Sequence, residues 1–197
     1  MSTATATTKE RILEAAEEIM LQKSFHSVGL NEILTAVKVP KGSFYHYFES
    51  KEHFGVEFLQ HYVAEASAWK RRMLLSTDTE PDPFTRLMAF FDMTIAKALE
   101  KEYQGSCLVG KLAAEVAAFS DPMREVLADG MRAWQGIFEK LIVEGKAKKV
   151  MGSALDPAET AALMQDLWMG AGQRSQVQRS LAPLSSAALF LRSYLAA

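Results

Sequence analysis

Helical spacing of apolar residues over long stretches is the feature that most constrains how this 197-residue chain can fold. Proline and glycine fall between long segments, and each segment carries apolar residues at the intervals of an α-helix rather than in strict alternation. One apolar stripe runs from Ile12 to Met20, and another runs from Phe54 to Met73. The pattern predicts an all-α protein of about nine helices without strands.

Capping residues predict where several of these helices begin. Ser50 is expected to cap a long helix that follows it, because a serine hydroxyl accepts from the free N–H groups of the first turn. The segment 156–159, Asp-Pro-Ala-Glu, combines an N-cap acid, a proline at the first helical position and a glutamate at the third. At 121–122, Asp-Pro predicts another start of the same kind.

Charge and cysteine content limit the classes of partner. Lysine and arginine total 22 against 24 aspartate and glutamate, a net charge of −2, so any contact with nucleic acid must come from a local cluster. The single cysteine, Cys107, cannot form an intramolecular disulfide, which favours a reducing compartment. No apolar run approaches the roughly 18 residues that span a bilayer. We therefore expect a cytoplasmic protein without a membrane partner.

Two short helices, at about 30–37 and 41–48, are predicted on either side of a break at 38–40, which is the outline of a helix-turn-helix motif. Phe44 and Phe48 lie four residues apart and would anchor the second helix on the core. The rest of that helix presents lysine, hydroxyl and aromatic side chains, which suit DNA phosphates and base edges. The alternative is that the aromatic residues only pack in the core, but a buried patch would not need the lysines and the histidine of this window.

These residues resemble the TetR family of bacterial transcription regulators. The match covers Lys-Gly-Ser-Phe-Tyr-His-Tyr-Phe-Glu-Ser-Lys at 41–51, preceded by Glu-Ile-Leu-Thr-Ala at 32–36. The resemblance implies a three-helix DNA-binding head within residues 1–49, and a helical ligand-sensing and dimerisation domain within 50–197. The implied contacts with double-stranded operator DNA are Lys41, Gly42, Ser43, Tyr45, His46, Tyr47 and Lys51.

Two positions depart from the usual TetR pattern. Lys38 stands in the turn where the family often has glycine, and its ammonium group is a candidate phosphate contact. Gly29 stands where the family often has a serine or threonine that caps the second helix, so one hydroxyl contact to phosphate is lost. We therefore include Lys38 among the predicted DNA-binding residues.

Large aromatic side chains in the C-terminal part are candidates for an effector pocket. They lie in the middle of predicted helices, where such side chains line pockets but also fill cores, and the sequence leaves both readings open. The candidate effector-sensing residues of this kind are Trp69, Phe91, Trp134, Phe138 and Trp168.

Cys107 and Lys111 form a second candidate sensor. Four residues apart on a helix, they would share a face, and a neighbouring cation favours the reactive thiolate. The surrounding sequence also resembles a branch of the TetR family in which a cysteine is linked to sensing reactive electrophiles. A buried, unreactive cysteine is the alternative.

A homodimer is expected from the last two helices. Gly170, Ala171 and Gly172 would permit close helix approach, and the apolar stripe within 184–195 would join them in a four-helix interface between two subunits. The resemblance implies the same dimer.

The function predicted is that of a transcriptional repressor released from its operator by a small-molecule, electrophile or oxidant effector. Two alternatives are a small thiol-dependent enzyme using Cys107 and a helical interaction protein that does not bind DNA. No Ser/His/Asp set or phosphate-binding glycine loop is evident, so we expect no enzyme activity and no cofactor. The four histidines lack partners at recognisable metal-ligand spacing, so no metal site is expected.

Overall fold

The computed structural model describes residues 7–78, 80–103 and 108–196, and this part of the chain forms nine helices. The all-α prediction is confirmed, with one isolated bridge between Met151 and Ala196 near the C-terminus. None of the described helices is long and apolar enough to cross a bilayer. The helices are α1 (Thr8–Gln22), α2 (Leu30–Ala36), α3 (Lys41–Tyr47), α4 (Lys51–Leu75), α5 (Pro83–Glu100), α6 (Leu108–Val116), α7 (Asp121–Ala147), α8 (Pro157–Gln178) and α9 (Ala182–Leu195).

Most predicted helix starts are confirmed, and one moves by a residue. The side chains of Ser50 and Asp156 each accept from the backbone N–H three residues ahead, as expected of N-caps. In α7 the N-cap is Ser120, so Asp121 lies inside the first turn, where its charge favours the positive end of the helix dipole. At α1, Thr7 forms a capping box that the sequence reading did not include.

The first three helices pack on the start of α4 through fully buried side chains. The members of this core include Ile12, Met20, Ile33, Phe44 and Phe48, each at most 1% exposed. The same apolar cluster continues without a break into α4 and the remaining helices. The division into domains at residue 49 therefore stays a prediction.

Helices α4 and α7 approach closely and form the frame of the C-terminal part. A Cβ atom at Gly130 of α7 would lie 2.8 Å from Val63 of α4, so only glycine permits this approach. The buried guanidinium of Arg86 in α5 donates to the carbonyls of Leu74 and Glu80 at 2.9 Å and pairs with Glu144 of α7. This network fixes the ends of α4, α5 and α7 to one another.

The structure corrects the predicted dimer face. Ala171 and Gly172 are buried, and the apolar stripe of α9 packs inside the subunit through residues that include Leu184, Leu191 and Leu195. Helix periodicity predicts an apolar stripe but does not say which partner covers it. The exposed apolar side chains of α8 and α9 lie outside these buried stripes and are Leu163 and Val177 in α8, with Leu189, Phe190 and Tyr194 in α9.

Candidate functional sites: the α3 surface and an aromatic cavity

Helix α3 is held on the core by two phenylalanines, and this fixes what it presents outward. The rings of Phe44 and Phe48 lie 5.0 Å apart between their centres, and both side chains are buried. Tyr45 is 58% exposed, although its ring edge contacts Phe44. Of the other predicted DNA contacts on this helix, Lys41, Gly42 and His46 are exposed, and Ser43 and Tyr47 are half-buried.

The turn before α3 contains a residue in a strained conformation. Lys38 is exposed and has a φ of 56°, in the left-handed region that glycine adopts most easily. Its N–H donates to the carbonyl of Thr35 at 3.1 Å, which closes the end of α2. At the start of α2, Gly29 is the N-cap and provides no side-chain hydrogen bond. The tight turn therefore holds an exposed lysine in the segment directly before α3.

Lys51 has an intramolecular role that its spacing did not predict. Its Nζ atom donates to the carbonyls of His26 at 3.0 Å and Val28 at 2.9 Å, and lies 5.2 Å from the centre of the Phe25 ring. The ammonium group thus fixes the α1–α2 loop on the beginning of α4. Contact between Lys51 and DNA stays a prediction.

A cavity of about 240 Å³ lies between α4, α5, α7 and α8. Four of the five predicted aromatic residues line it. The fifth, Phe91, is 1% exposed and packs behind Trp168, with 4.4 Å between ring centres, so it supports the wall without being part of it. The lining residues used below are Trp69, Lys70, Phe90, Lys97, Lys101, Gly110, Trp134, Phe138, Gln165 and Trp168.

Polar groups are built into the aromatic wall. The indole N–H of Trp134 donates to the buried hydroxyl of Ser67 at 2.9 Å, which fixes the ring. The ammonium of Lys70 lies 3.9 Å from the centre of that ring, and the ammonium of Lys97 lies 4.4 Å from the centre of the Trp69 ring. Such contacts between cations and indole faces are favourable.

Sequence reasoning did not identify the polar members of the cavity. Lys70, Lys97 and Gln165 belong to three different helices, and each falls in a segment where polar residues are ordinary. Gln165 is the most unusual, because its side-chain oxygen is buried and has no hydrogen-bond partner among the described residues. Buried polar groups normally have a partner. No spacing rule links positions so far apart, so the sequence held no signal for this set.

Helix α6 contacts the N-terminal head through two charged side chains, which we call the α6 clasp. Lys111 donates to three carbonyls at the end of α1, those of Met20, Leu21 and Lys23, at 2.8 to 3.1 Å. Glu115 accepts from two backbone N–H groups of the following loop, both at 2.9 Å. Burial lowers the pKa of Lys111, and the nearby Glu115 carboxylate opposes this shift.

The predicted sensor pair of Cys107 and Lys111 is covered only in part. Cys107 lies outside the described residues, whereas Lys111 belongs to the α6 clasp and does not line the cavity. Within the described ranges, no group of three or more histidine, aspartate or glutamate side chains is arranged to hold a metal ion.

Two family models match the chain. A model described as "Bacterial regulatory proteins, tetR family" matches residues 12–55, and one described as "Tetracyclin repressor-like, C-terminal domain" matches residues 83–191. The first match contains α2, α3 and the turn between them, and the second contains most of the cavity wall.

Individual proteins match over nearly the whole length. The HTH-type transcriptional repressor NemR of Escherichia coli is 32% identical over 190 residues, which cover 96% of this chain and 94% of NemR. The crystal structure of reduced E. coli NemR superposes with a TM-score of 0.86, covering 96% of this chain and 98% of that one. The regulatory protein TetR from Rhodobacter sphaeroides is 30% identical, with a TM-score of 0.87 and coverage of 96% and 100%.

Proposed function

Because the chain belongs to the TetR family of DNA-binding transcriptional repressors, we propose that it binds operator DNA through the outward side of α3 and is released by an effector in the aromatic cavity. Members of this family act as dimers and respond to small molecules. The proposal makes this chain a regulator without catalytic activity that works in the cytoplasm, where the DNA is.

The observation that carries the proposal is the division of α3 into a buried face and a polar face. Phe44 and Phe48 fix the helix, so Lys41, Tyr45 and His46 are held outward without contributing to the core. Lysine and hydroxyl groups bind phosphates, and an exposed ring can meet a base edge or a methyl group in the major groove. A tyrosine that is more than half exposed next to a lysine suits this use better than contact with solvent.

The test is a fluorescence-anisotropy titration against DNA that flanks the protein's own gene. Tyr45→Ala should weaken binding by about 1–3 kcal/mol per half-site if the ring reads a base, and Lys41→Ala should reduce the salt slope by about 1. Lys140→Ala removes an exposed lysine of α7 and is the matched control. Unchanged affinity in both α3 variants, with helicity intact, would contradict the proposal.

A homodimer would present two α3 helices to successive major grooves, about 34–36 Å apart. We assign its interface to the outer faces of α8 and α9. Leu163, Gly170 and Val177 are exposed at intervals of seven residues on α8. On α9, Phe190 stacks on Tyr194, and Phe190 and Gly170 line the same surface groove. Exposed apolar side chains in such a row are typical of a covered surface.

The dimer assignment predicts the outcome of one substitution. Phe190→Asp should shift the protein toward the monomer in light scattering and lower operator affinity, because the two half-sites are then bound separately. Val143→Asp alters an equally exposed apolar residue of α7 and should leave the dimer intact. A dimer that persists in the Phe190 variant would exclude this interface.

The α6 clasp supports a route from the cavity to the head. Gly110, which lines the cavity, precedes Lys111 directly, so a ligand that displaces the start of α6 also displaces the groups that hold the end of α1. A modifier acts by its different fit to the two arrangements of the protein. This connection is the reason that we place the effector in the cavity.

Sensing by Cys107 is the second candidate for the release step. It is favoured by the resemblance of the surrounding sequence to a branch of the family in which a cysteine is linked to sensing electrophiles, and by the place of Cys107 in the sequence directly before α6. Modification there would add bulk next to the helix that carries the clasp. An alkylating quinone should then release wild-type protein from DNA and leave Cys107→Ser bound, whereas equal release from both proteins would assign the cysteine to packing.

A further inference from the structure

We infer that the cavity is selective for a planar aromatic carboxylate that also carries a hydrogen-bond donor on its ring. This inference rests on the proposed role of the cavity as the effector site, and it goes further by naming the chemical class of the effector. Three observations carry it: the size and aromatic character of the walls, the charge of the lysines, and the unpartnered oxygen of Gln165.

Size and shape come first. All three tryptophans of the chain line the cavity, together with Phe90 and Phe138. Flat side chains favour a flat ligand, because aromatic rings gain from stacked and edge-to-face contacts beyond the area they bury. A protein cavity of about 150 Å³ holds benzene. The volume of about 240 Å³ therefore suits one ring with short substituents.

Charge comes second. Lys70, Lys97 and Lys101 line the cavity, and no aspartate or glutamate is among the described lining residues. Lys101 already interacts electrostatically with Glu17, so Lys97 is the group assigned here. Its ammonium group lies 4.4 Å from the centre of the Trp69 ring. An aromatic acid that packs against the walls beside this ammonium group can place its carboxylate next to it, whereas a cationic amine would be repelled.

The third observation concerns the polar end of the ligand. The Oε1 atom of Gln165 is buried and accepts no hydrogen bond from the described part of the chain. A buried acceptor without a donor costs free energy, and because Gln165 lines the cavity, a ligand that supplies the donor after the amide group rotates toward it recovers that free energy. A phenolic hydroxyl on the ring provides such a donor. Hydroxylated aromatic acids should therefore bind more tightly than the corresponding unsubstituted acids.

The test compares ligands that share one ring and differ in a single group, using calorimetry on the full-length protein. The probes are 4-hydroxybenzoate and 4-hydroxycinnamate, with the methyl esters of both, benzoate and 4-hydroxybenzylamine. We expect each hydroxy acid to bind about tenfold more tightly than its ester, a difference of about 1.4 kcal/mol. Benzoate should bind more weakly than 4-hydroxybenzoate, and the amine should not bind.

Two variants connect the preference to the named lysine. Lys97→Met keeps the length and apolar character of the side chain and should reduce the preference for acid over ester to about twofold or less. Lys140→Met, on the exposed side of α7, should leave the preference unchanged. An ester that binds wild-type protein as tightly as its acid would overturn the inference, and so would a preference that survives Lys97→Met.

A parallel measurement separates this inference from the proposed function. Operator release is followed by anisotropy with the same compounds. Tight, charge-selective binding without release would uphold the ligand class and overturn the cavity as the effector site. Release by other compounds, with no binding of either hydroxy acid at millimolar concentration, would overturn the ligand class and leave the repressor assignment standing.

Discussion

The outward surface of α3 and the wall of the cavity differ in how their side chains are held. On α3, two buried phenylalanines support a short helix, and Lys41 and His46 are exposed outside the core. In the cavity, Trp134 and Phe138 line the wall and also belong to the main apolar core. Substitutions of the exposed residues of α3 should therefore change mainly binding, whereas substitutions in the cavity wall should change binding and stability together.

The difference extends to the polar groups behind each region. The α3 surface has one exposed lysine, Lys41, and the turn before it has another, Lys38; water and salt screen the electrostatic interactions of both. Behind the cavity, Arg86 is 3% exposed and satisfies two carbonyls and a carboxylate at once. A buried charge is costly when its partners are lost, so we expect substitutions in this network to lower stability more than substitutions of exposed residues on α3.

The largest expected effect follows from removing that charge. Arg86→Met should leave the carbonyls of Leu74 and Glu80 without their donor and Glu144 with Lys148 as its remaining cation, and lower the free energy of unfolding by about 3–5 kcal/mol. Arg132→Met removes an exposed arginine that pairs with Asp129 on the surface of α7, and should change it by no more than about 0.5 kcal/mol. Urea titration measures both. If the Arg86 variant lost less than about 1 kcal/mol of unfolding free energy, the buried network would be no more sensitive than the exposed surface.

The next prediction concerns the connection between the two regions. Lys111→Met removes the donor to three carbonyls at the end of α1, and should lower the local opening free energy there by about 1.5–3 kcal/mol. Amide hydrogen exchange should show faster exchange at the end of α1 and in the α1–α2 loop, with α7 unchanged. Operator affinity should fall, because α1 supports the packing of α2 and α3.

Lys146→Met is the matched control for the clasp. Lys146 also donates to a backbone carbonyl, that of Leu155, but it does so in the connection between α7 and α8. Its loss should loosen that connection and leave operator affinity as in the wild type. If both lysine variants bind DNA like the wild type, the clasp does not transmit between cavity and head.

The two regions also differ in how far the sequence predicts them. Residues 41–51 are contiguous, and the four-residue spacing of Phe44 and Phe48 alone determines which side of α3 is exposed. The aromatic lining was predicted in part, but Lys97 and Gln165 were not, because only the packing of α4, α5, α7 and α8 brings them together. Local spacing predicts a surface on one helix, and it carries no signal for a cavity built from several.

The predicted dimer face shows the same limit of local spacing. Ala171 and Gly172 are small residues of the kind expected at a close helix contact, but both are buried inside the subunit: Ala171 packs with Leu184 and Ala187 of α9, and Gly172 lines the cavity. Helix α8 has small or apolar residues on more than one side, and helical periodicity does not tell which side is buried inside the subunit. The exposure of each side chain answers this question, and it is known only once the other helices are in place.

The smallest expected effect tests the strained turn that adjoins α3. Lys38→Gly removes the cost of about 1–2 kcal/mol that a residue with a side chain incurs in the left-handed conformation. Glycine also gives the unfolded chain more conformational freedom, which offsets about 0.4–1 kcal/mol of this gain. The net gain in stability should be about 0.5–1 kcal/mol. Lys149→Gly is the matched control, since Lys149 has a φ of 59° in the turn after α7.

DNA binding separates these two glycine variants. Both should gain stability by a similar amount in urea titration, because both relieve the same backbone strain. If Lys38 contacts a phosphate, only Lys38→Gly should weaken operator binding and reduce the salt slope by about 1. A salt slope equal to that of Lys149→Gly would confine DNA contact to α3, and the lysine in the turn would then stand at a strained position without a contribution to binding.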